Sequence, residues 1–306
     1  METFVQQLIN GLTLGSIYAL VALGYTMVYG ILGLINFAHG EVVMIGALTA
    51  LAVINPLIGV LPGPLVVLIG LAVAALVCML LGFTIERVAY RPLRNAPRLA
   101  PLITAIGVSI VLQQLAMIFW GRNYHPVPTL LPANVHTLFG AQINELQMLI
   151  MLLAALTMGG LMLLVNRTRL GRAMRATAEN PQIAALMGVD ANRIISLTFV
   201  IGSALAALAG VMVSANYGIA HYAMGFTLGL KAFTAAVLGG IGNLPGAMLG
   251  GVLLGVIEAL GAGYIGDLTG GVLSSSYQDV FAFFVLILVL VFRPSGLMGE
   301  RVAERA

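Results

Sequence analysis

Apolar residues run along this chain in blocks far longer than a soluble helix or strand needs, and the charged residues fall between the blocks. Uncharged stretches extend from Thr3 to Gly40, Val42 to Ile85, Leu99 to Gly121, Leu146 to Asn166, Ile194 to Leu230 and Ala232 to Ile257. A helix needs about 20 mostly apolar residues to cross the hydrocarbon layer of a bilayer, so each stretch supplies one or two crossings. Breakers within them place spans near 4–24, 36–54, 63–85, 100–119, 145–165, 195–214, 227–242, 245–266 and 274–292. The pattern predicts an all-α integral membrane protein with about 8–10 crossings, a single domain over 1–306.

Two stretches break the regular reading. Residues 25–40 are apolar but interrupted by Gly30, Gly33 and Gly40, which suits a half-helix or a bent continuation of the first span. Residues 239–246 read Gly-Gly-Ile-Gly-Asn-Leu-Pro-Gly, too rich in breakers for a helix. Irregular backbone at membrane depth needs surrounding protein or a water-filled cavity, since lipid offers its polar groups no partner. A weak internal echo links the ends of the chain: residues 11–46 and 227–260 each combine Gly-interrupted apolar segments with buried charge, a pattern that transporters use to mark a pathway.

Composition agrees with the pattern. The chain is 60% hydrophobic and 8% charged, against about 25% charged in a soluble domain. Its arginines gather in three places: Arg87, Arg91, Arg94 and Arg98; Arg167, Arg169, Arg172, Arg175 and Arg193; and Arg293, Arg301 and Arg305. The proposed spans put all three on one side and leave only Arg122 on the other. Cytoplasmic loops carry the excess of Lys and Arg, so the C-terminus is expected in the cytoplasm. The N-terminus is then external unless a tenth crossing lies before residue 55. No basic residue precedes Arg87, so the first span is expected to be retained rather than cleaved. A net charge of +3 carried by clustered arginines, without interleaved aromatics, speaks against nucleic-acid binding. The single cysteine, Cys78, excludes a disulfide within the chain.

The longest basic-side loop, 166–194, contains Glu179-Asn180-Pro181-Gln182-Ile183-Ala184-Ala185-Leu186-Met187-Gly188. Asn180 suits an N-cap, Pro181 the first helical position and Gly188 a left-handed terminus. The expected helix of about seven residues is ~10 Å long and too short to stand alone, so neighbouring spans or another protein must hold it. Its exposed face is expected to carry Ala184, Ala185 and Met187. A capped turn packed on the membrane surface is the plainer reading of the same residues.

A short helix between two spans, with small residues ahead of a Gly, is similar to the coupling helix of ABC-importer permeases. The chain as a whole resembles the branched-chain amino-acid permease family, in its LivH-type subunit. The strings that carry the likeness are NGLTLGSIYALVALGYTMVYGILGLINFAHGE at 10–41, IERVAYRPLR at 85–94, GRAMRATAEN at 171–180, LTFVIG at 197–202 and KAFTAAVLGGIGNLPGAMLGG at 231–251. One feature departs from importer loops: Ile183-Ala184-Ala185 stands where a Glu-Ala-Ala signature is expected, so no coupling Glu transfers to position 183, and Glu179 lies earlier. The resemblance implies a type II importer fold, a second related permease subunit, two cytoplasmic ATPases and a periplasmic binding protein delivering leucine, isoleucine or valine. It assigns coupling to Glu179, Asn180, Pro181, Ala184, Ala185 and Gly188. The residues add one point of their own: the only lysine, Lys231, is not part of a phosphate-binding G-x-x-x-x-G-K-[ST] loop. No cofactor is expected, and ATP hydrolysis belongs on other chains.

Charge inside a bilayer is costly and usually faces a partner or water. Glu41, Lys231 and Glu258 lie in predicted spans. Glu41 and Lys231 suit a translocation path or a helix-orienting ion pair equally, whereas Glu258 leans to the structural role. Asn36, His39 and the glycines Gly239, Gly240 and Gly242 are further path candidates; His39 also suits a helix cap, and glycines let helices pack closely in lipid. The external Pro-rich loop 121–144 is either a binding-protein seat or a solvated connector. An ion-coupled secondary amino-acid transporter using Glu41, Lys231 and Glu258 is the alternative function, and a passive channel or scaffold a third. Related permeases carry urea, amides and other amino acids, and no pocket in the sequence chooses among them.

Overall fold

The computed structural model describes residues 2–94, 96–97, 99–130, 134–138, 140–270 and 277–299. Arg98, Arg301, Arg305 and the start of the predicted span at 274–276 lie outside them. The described residues are 79% helical. Among the described residues, seven helical stretches are long and apolar enough to cross a membrane, and two shorter apolar helices join them.

The helix α1 (Glu2–Leu32) runs unbroken for 31 residues, about 46 Å at 1.5 Å per residue. It ends where Gly33 turns left-handed at φ 63 and its N–H donates to the Tyr29 carbonyl at 2.7 Å. A non-helical link over 33–38 leads into α2 (His39–Leu57). The open region at 25–40 is therefore a straight continuation followed by a short link, and no further helix lies between α1 and α2. Next, α3 (Gly63–Ile85) passes into one π turn (Glu86–Tyr90) and one 3-10 turn (Arg91–Leu93). Then come α4 (Leu99–Trp120), α5 (Glu145–Arg167), α6 (Arg169–Glu179), α7 (Pro181–Leu186), α8 (Ala191–Tyr217), α9 (Met224–Gly239), α10 (Leu244–Leu268) and α11 (Gln278–Phe292).

Small residues decide which helices sit inside. In the best apolar window of each, α1 is 78% buried, whereas α4 and α5 are each 22% buried. Gly11, Gly15 and Ala19, spaced by four, form one stripe on α1, and α10 presents Gly251, Val252, Gly255 and Val256 to it in antiparallel register. A Cβ on Gly15 would lie 2.7 Å from the Val252 Cα, and one on Gly11 2.6 Å from the Val256 Cα. In lipid, where burying apolar surface drives little, such backbone approach supplies the packing attraction between helices. Gly15→Leu is expected to destabilise the fold by about 1–3 kcal/mol or more. Gly107→Leu on α4, where nothing lies within 4 Å, is expected to change little. Thermal unfolding in detergent compares the two.

The described segment begins and ends on opposite faces, at Glu2 and Gly299. The Gln6 side chain accepts from the Gln142 N–H at 2.7 Å and donates to its carbonyl at 2.9 Å, so the start of α1 shares a face with the loop 121–144. In that loop β2 (Val135–Leu138) and β3 (Ala141–Asn144) pair antiparallel, and β1 (His125–Pro126) pairs with β4 (Ile219–Ala220). From this face α5 crosses to Arg167 and the loop 166–194. At that second face the segment after α11 docks on the end of α9, its Leu297 and Met298 N–H groups donating to the Leu238 and Gly239 carbonyls at 2.9 Å each.

Candidate functional site

Four helices bring their polar residues to one charged cluster. The Lys231 ammonium on α9 lies 2.6 Å from a Glu258 oxygen on α10 and 2.8 Å from an Asp279 oxygen at the start of α11. The Tyr18 hydroxyl of α1 completes it, 3.4 Å from Lys231 and 3.2 Å from Glu258. Glu258 is fully buried, and it lies about 21 Å along α10. A buried carboxylate in such surroundings must be paired, and Lys231 pairs it. With one ammonium against two carboxylates, the cluster is complementary to further positive charge. Tyr18 and Asp279 are the members absent from the sequence reading: Asp279 is 48 positions from Lys231 (279 − 231) and reads as an ordinary acidic residue in a first helical turn.

Lys231 also floors an open cavity of about 350 Å³ lined by Tyr18, Tyr124, Tyr217, His221 and Met224. The cavity lies at the face of the 121–144 loop: the Tyr124 and His221 rings stack at 4.3 Å, and the His221 Nε2 is 3.1 Å from the Arg122 carbonyl. Aromatic walls over a charged floor suit a small molecule with an apolar body and a charged end.

Asn36, His39 and Glu41 form a second, separate group at the start of α2. The Asn36 Oδ1 accepts from the Ala38 N–H and the Tyr90 hydroxyl, each at 3.1 Å. Asn36 thus caps the link and ties it to the π turn after α3. The His39 ring lies against the open side of Gly24 and meets Tyr25 edge-on at 4.9 Å. One Glu41 oxygen accepts from the Ser109 hydroxyl of α4 at 3.2 Å. The other Glu41 oxygen and the His39 Nε2 have no hydrogen-bond partner among the described residues. None of these three side chains lines the cavity over Lys231.

Gly239, Gly240 and Gly242 lie at the opposite end, in the turn between α9 and α10. Gly240 and Gly242 need glycine, with φ of 108 and 95. Gly239 packs against Gly246, where a Cβ would meet the Ala247 nitrogen at 2.8 Å. Gly242 borders a cavity of about 100 Å³ shared with Thr26, Gly30, Met174, Arg175 and Leu244. The predicted path residues therefore fall at three depths rather than in one pocket.

On this same face α6 and α7 form as the cap residues require. The Asn180 side chain accepts from the Gln182 and Ile183 N–H groups at 3.0 Å each, and Gly188 is left-handed at φ 86. Glu179 and Pro181 are exposed on either side of Asn180. The expected exposed face needs one correction. Ala184 is 4% exposed; it points inward, and its carbonyl accepts from the Val189 N–H as the chain turns towards α8. Ala185 and Met187 do face outward, joined by Ile183 and Leu186, which are 59% and 86% exposed. The helix is six residues long rather than seven. Ile183, Leu186 and Met187 stand at i, i+3 and i+4, a spacing visible in the sequence once Ala184 is turned inward.

The family described as the branched-chain amino acid transport system permease component matches residues 7–290. The high-affinity branched-chain amino acid transport system permease protein BraD of Pseudomonas aeruginosa is 52% identical over 99% of this chain and 98% of its own. The corresponding LivH of Escherichia coli K12 is 47% identical over 99% and 97%. A probable branched-chain amino acid transport permease protein LivH of Methanocaldococcus jannaschii is 28% identical over 93% and 89%. No solved structure matches the chain. With the family matched across nearly the whole length and seven described helices long and apolar enough to cross a bilayer, this chain belongs to the permease components of branched-chain amino acid transport systems.

Proposed function

We propose that this chain is the membrane-spanning subunit of an ATP-driven importer that carries leucine, isoleucine and valine across a bacterial inner membrane. The observation that carries the reading is the 52% identity, over nearly the full length, to a permease of a high-affinity branched-chain amino acid transport system. A second, related permease subunit pairs with it, and two ATPases bind on the arginine-rich side, which is cytoplasmic and holds the C-terminus. The exposed Ile183, Ala185, Leu186 and Met187 of α7 and its following turn support that docking, since an apolar group jutting into water suits a groove on another protein. Glu179, Asn180, Pro181 and Gly188 set the direction of this helix, and buried Ala184 anchors it to α8. A periplasmic binding protein delivers substrate to the face formed by the loop 121–144.

The cavity over Lys231 supports a place for the substrate to enter. A branched aliphatic side chain lies against Tyr18, Tyr217 and Met224, while the carboxylate end meets Lys231. Onward movement follows the α1, α9 and α10 seam towards Gly239, Gly240 and Gly242, with Asn36, His39 and Glu41 holding α2 against it. The test is uptake of radiolabelled leucine by cells that lack their own branched-chain importers and express this chain with its genomic partners. Saturable uptake competed by isoleucine and valine is expected. Transport of urea or an amide with no competition by leucine would remove the substrate assignment.

A further inference from the structure

A second groove lies far from the cavity over Lys231, between the end of α3 and the start of α8. It has a volume of about 410 Å³ and is graded along its length. One end is apolar, formed by Phe83, Leu197 and Val200, and both Phe83 and Leu197 are exposed. The other end is polar and carries Arg87, Arg91 and Arg193 with Asp190. Phe83, Arg87 and Arg91 follow one another at four-residue intervals from the end of α3 through the π turn into the 3-10 turn, and all three line the groove.

The charges at the polar end do not cancel. Asp190 is the one carboxylate of the groove, and it pairs with Arg193 at 3.0 Å. Glu86, the nearest acid on the α3 side, is already engaged. It is buried, paired with Arg94, and accepts from the Ser196 hydroxyl at 2.6 Å. Among the described residues, no carboxylate lies within ion-pair distance of Arg87 or Arg91. Three arginines against one carboxylate leave the groove with a charge of +2 (3 − 1), beside an apolar trough that continues into the lipid-facing side of α3.

We propose that this groove binds one anionic phospholipid of the inner leaflet, its phosphate held by Arg87 and Arg91 and an acyl chain lying along Phe83, Leu197 and Val200. Guanidinium groups hold phosphate through paired N–H donors, and basic pockets between helices on the cytoplasmic side select lipids by headgroup charge. The lipid fills the space between α3 and α8, and Glu86 already joins these helices from the inside. This fixes the start of α8 and, through Val189 and Ala184, the base of α7.

The test is native mass spectrometry of the full-length chain released from micelles containing equal amounts of phosphatidylglycerol and phosphatidylcholine. The wild-type chain is expected to retain one phosphatidylglycerol in preference to phosphatidylcholine. Arg87→Gln with Arg91→Gln is expected to weaken that retention about 30-fold, the combined attraction of two arginines. Arg87→Lys with Arg91→Lys keeps the charge and is expected to retain most of it. Arg169→Gln with Arg172→Gln removes equal charge from α6 and leaves retention unchanged. Equal retention by wild type and the Gln pair would overturn the assignment. Release of the lipid by millimolar inorganic phosphate would assign the arginines to a free anion instead. Loss of co-purifying ATPase in the Gln pair, with lipid retention unchanged, would assign them to a protein contact.

Discussion

Lys231→Met is expected to abolish leucine uptake and to lower the stability of the purified chain by about 3–5 kcal/mol, the cost of leaving a buried charge without its partner. The partner left behind is Glu258, which is fully buried and has Lys231 at 2.6 Å. Asp279 is partly exposed and can turn to water, so most of the loss falls on Glu258. Combining Lys231→Met with Glu258→Gln removes both charges, and this pair is expected to regain most of the lost stability. Uptake is not expected to return with it, because the charged floor of the cavity is then gone. Thermal unfolding and uptake, measured on both variants, separate the two effects. If the single and double variants unfold at the same temperature, Lys231 and Glu258 are not coupled and the cluster does not hold α9 to α10.

Leu186→Asp is expected to leave the fold intact and to break the complex with the ATPase. Leu186 is 86% exposed and makes little contact within the chain, and exposed substitutions usually change stability by less than about 0.5 kcal/mol. A buried anchor at an interface is worth about 2 kcal/mol or more, so the ATPase is expected to bind at least ~30-fold more weakly. Met187→Asp, at an 81% exposed position, is expected to behave likewise. Ala184→Asp gives the opposite pattern. It forces a carboxylate into the seam between α7 and α8, so the loop itself loses its fold. Co-purification of the ATPase, together with unfolding of the permease alone, distinguishes them. Full binding by both Leu186→Asp and Met187→Asp would remove α7 as the docking element.

The contrast between Ala184 and Leu186 shows where sequence reasoning reaches and where it stops. Asn180, Pro181 and Gly188 announce a helix because caps are local: each acts within three residues of itself. Which side of that helix faces outward depends on α8, and nothing in the ten residues says so. The same division holds across the chain. Uncharged runs predict the crossings because the bilayer itself sets the length required: among the described residues seven of the nine predicted spans match helices long and apolar enough to cross, and the spans at 227–242 and 274–292 match the shorter α9 and α11. The stretch 25–40 was ambiguous because glycine permits both a break and a straight helix. The choice fell to Gly24 and Gly30, whose bare faces receive His39 and the turn at Gly242.

Charge pairing was less legible. Lys231 and Glu258 stand out as rare charges in apolar spans, but their mutual contact and the arrival of Asp279 depend on the packing of three helices. Asn36, a path candidate in the sequence, has its carbonyl oxygen taken by the Ala38 N–H and by Tyr90, 54 residues away. Long-range partners of this kind leave no periodic trace in a single sequence.

The central claim is that this chain moves branched-chain amino acids only when partner ATPases drive it. The most direct measurement uses vesicles that hold the purified chain, its partner permease and the two ATPases, with binding protein and leucine on the outer side. ATP inside is expected to drive leucine accumulation that stops when the ATPases are omitted or when Leu186→Asp is present. Accumulation by this chain alone, driven by a proton or sodium gradient without any ATPase, would contradict the claim and make the chain an ion-coupled transporter.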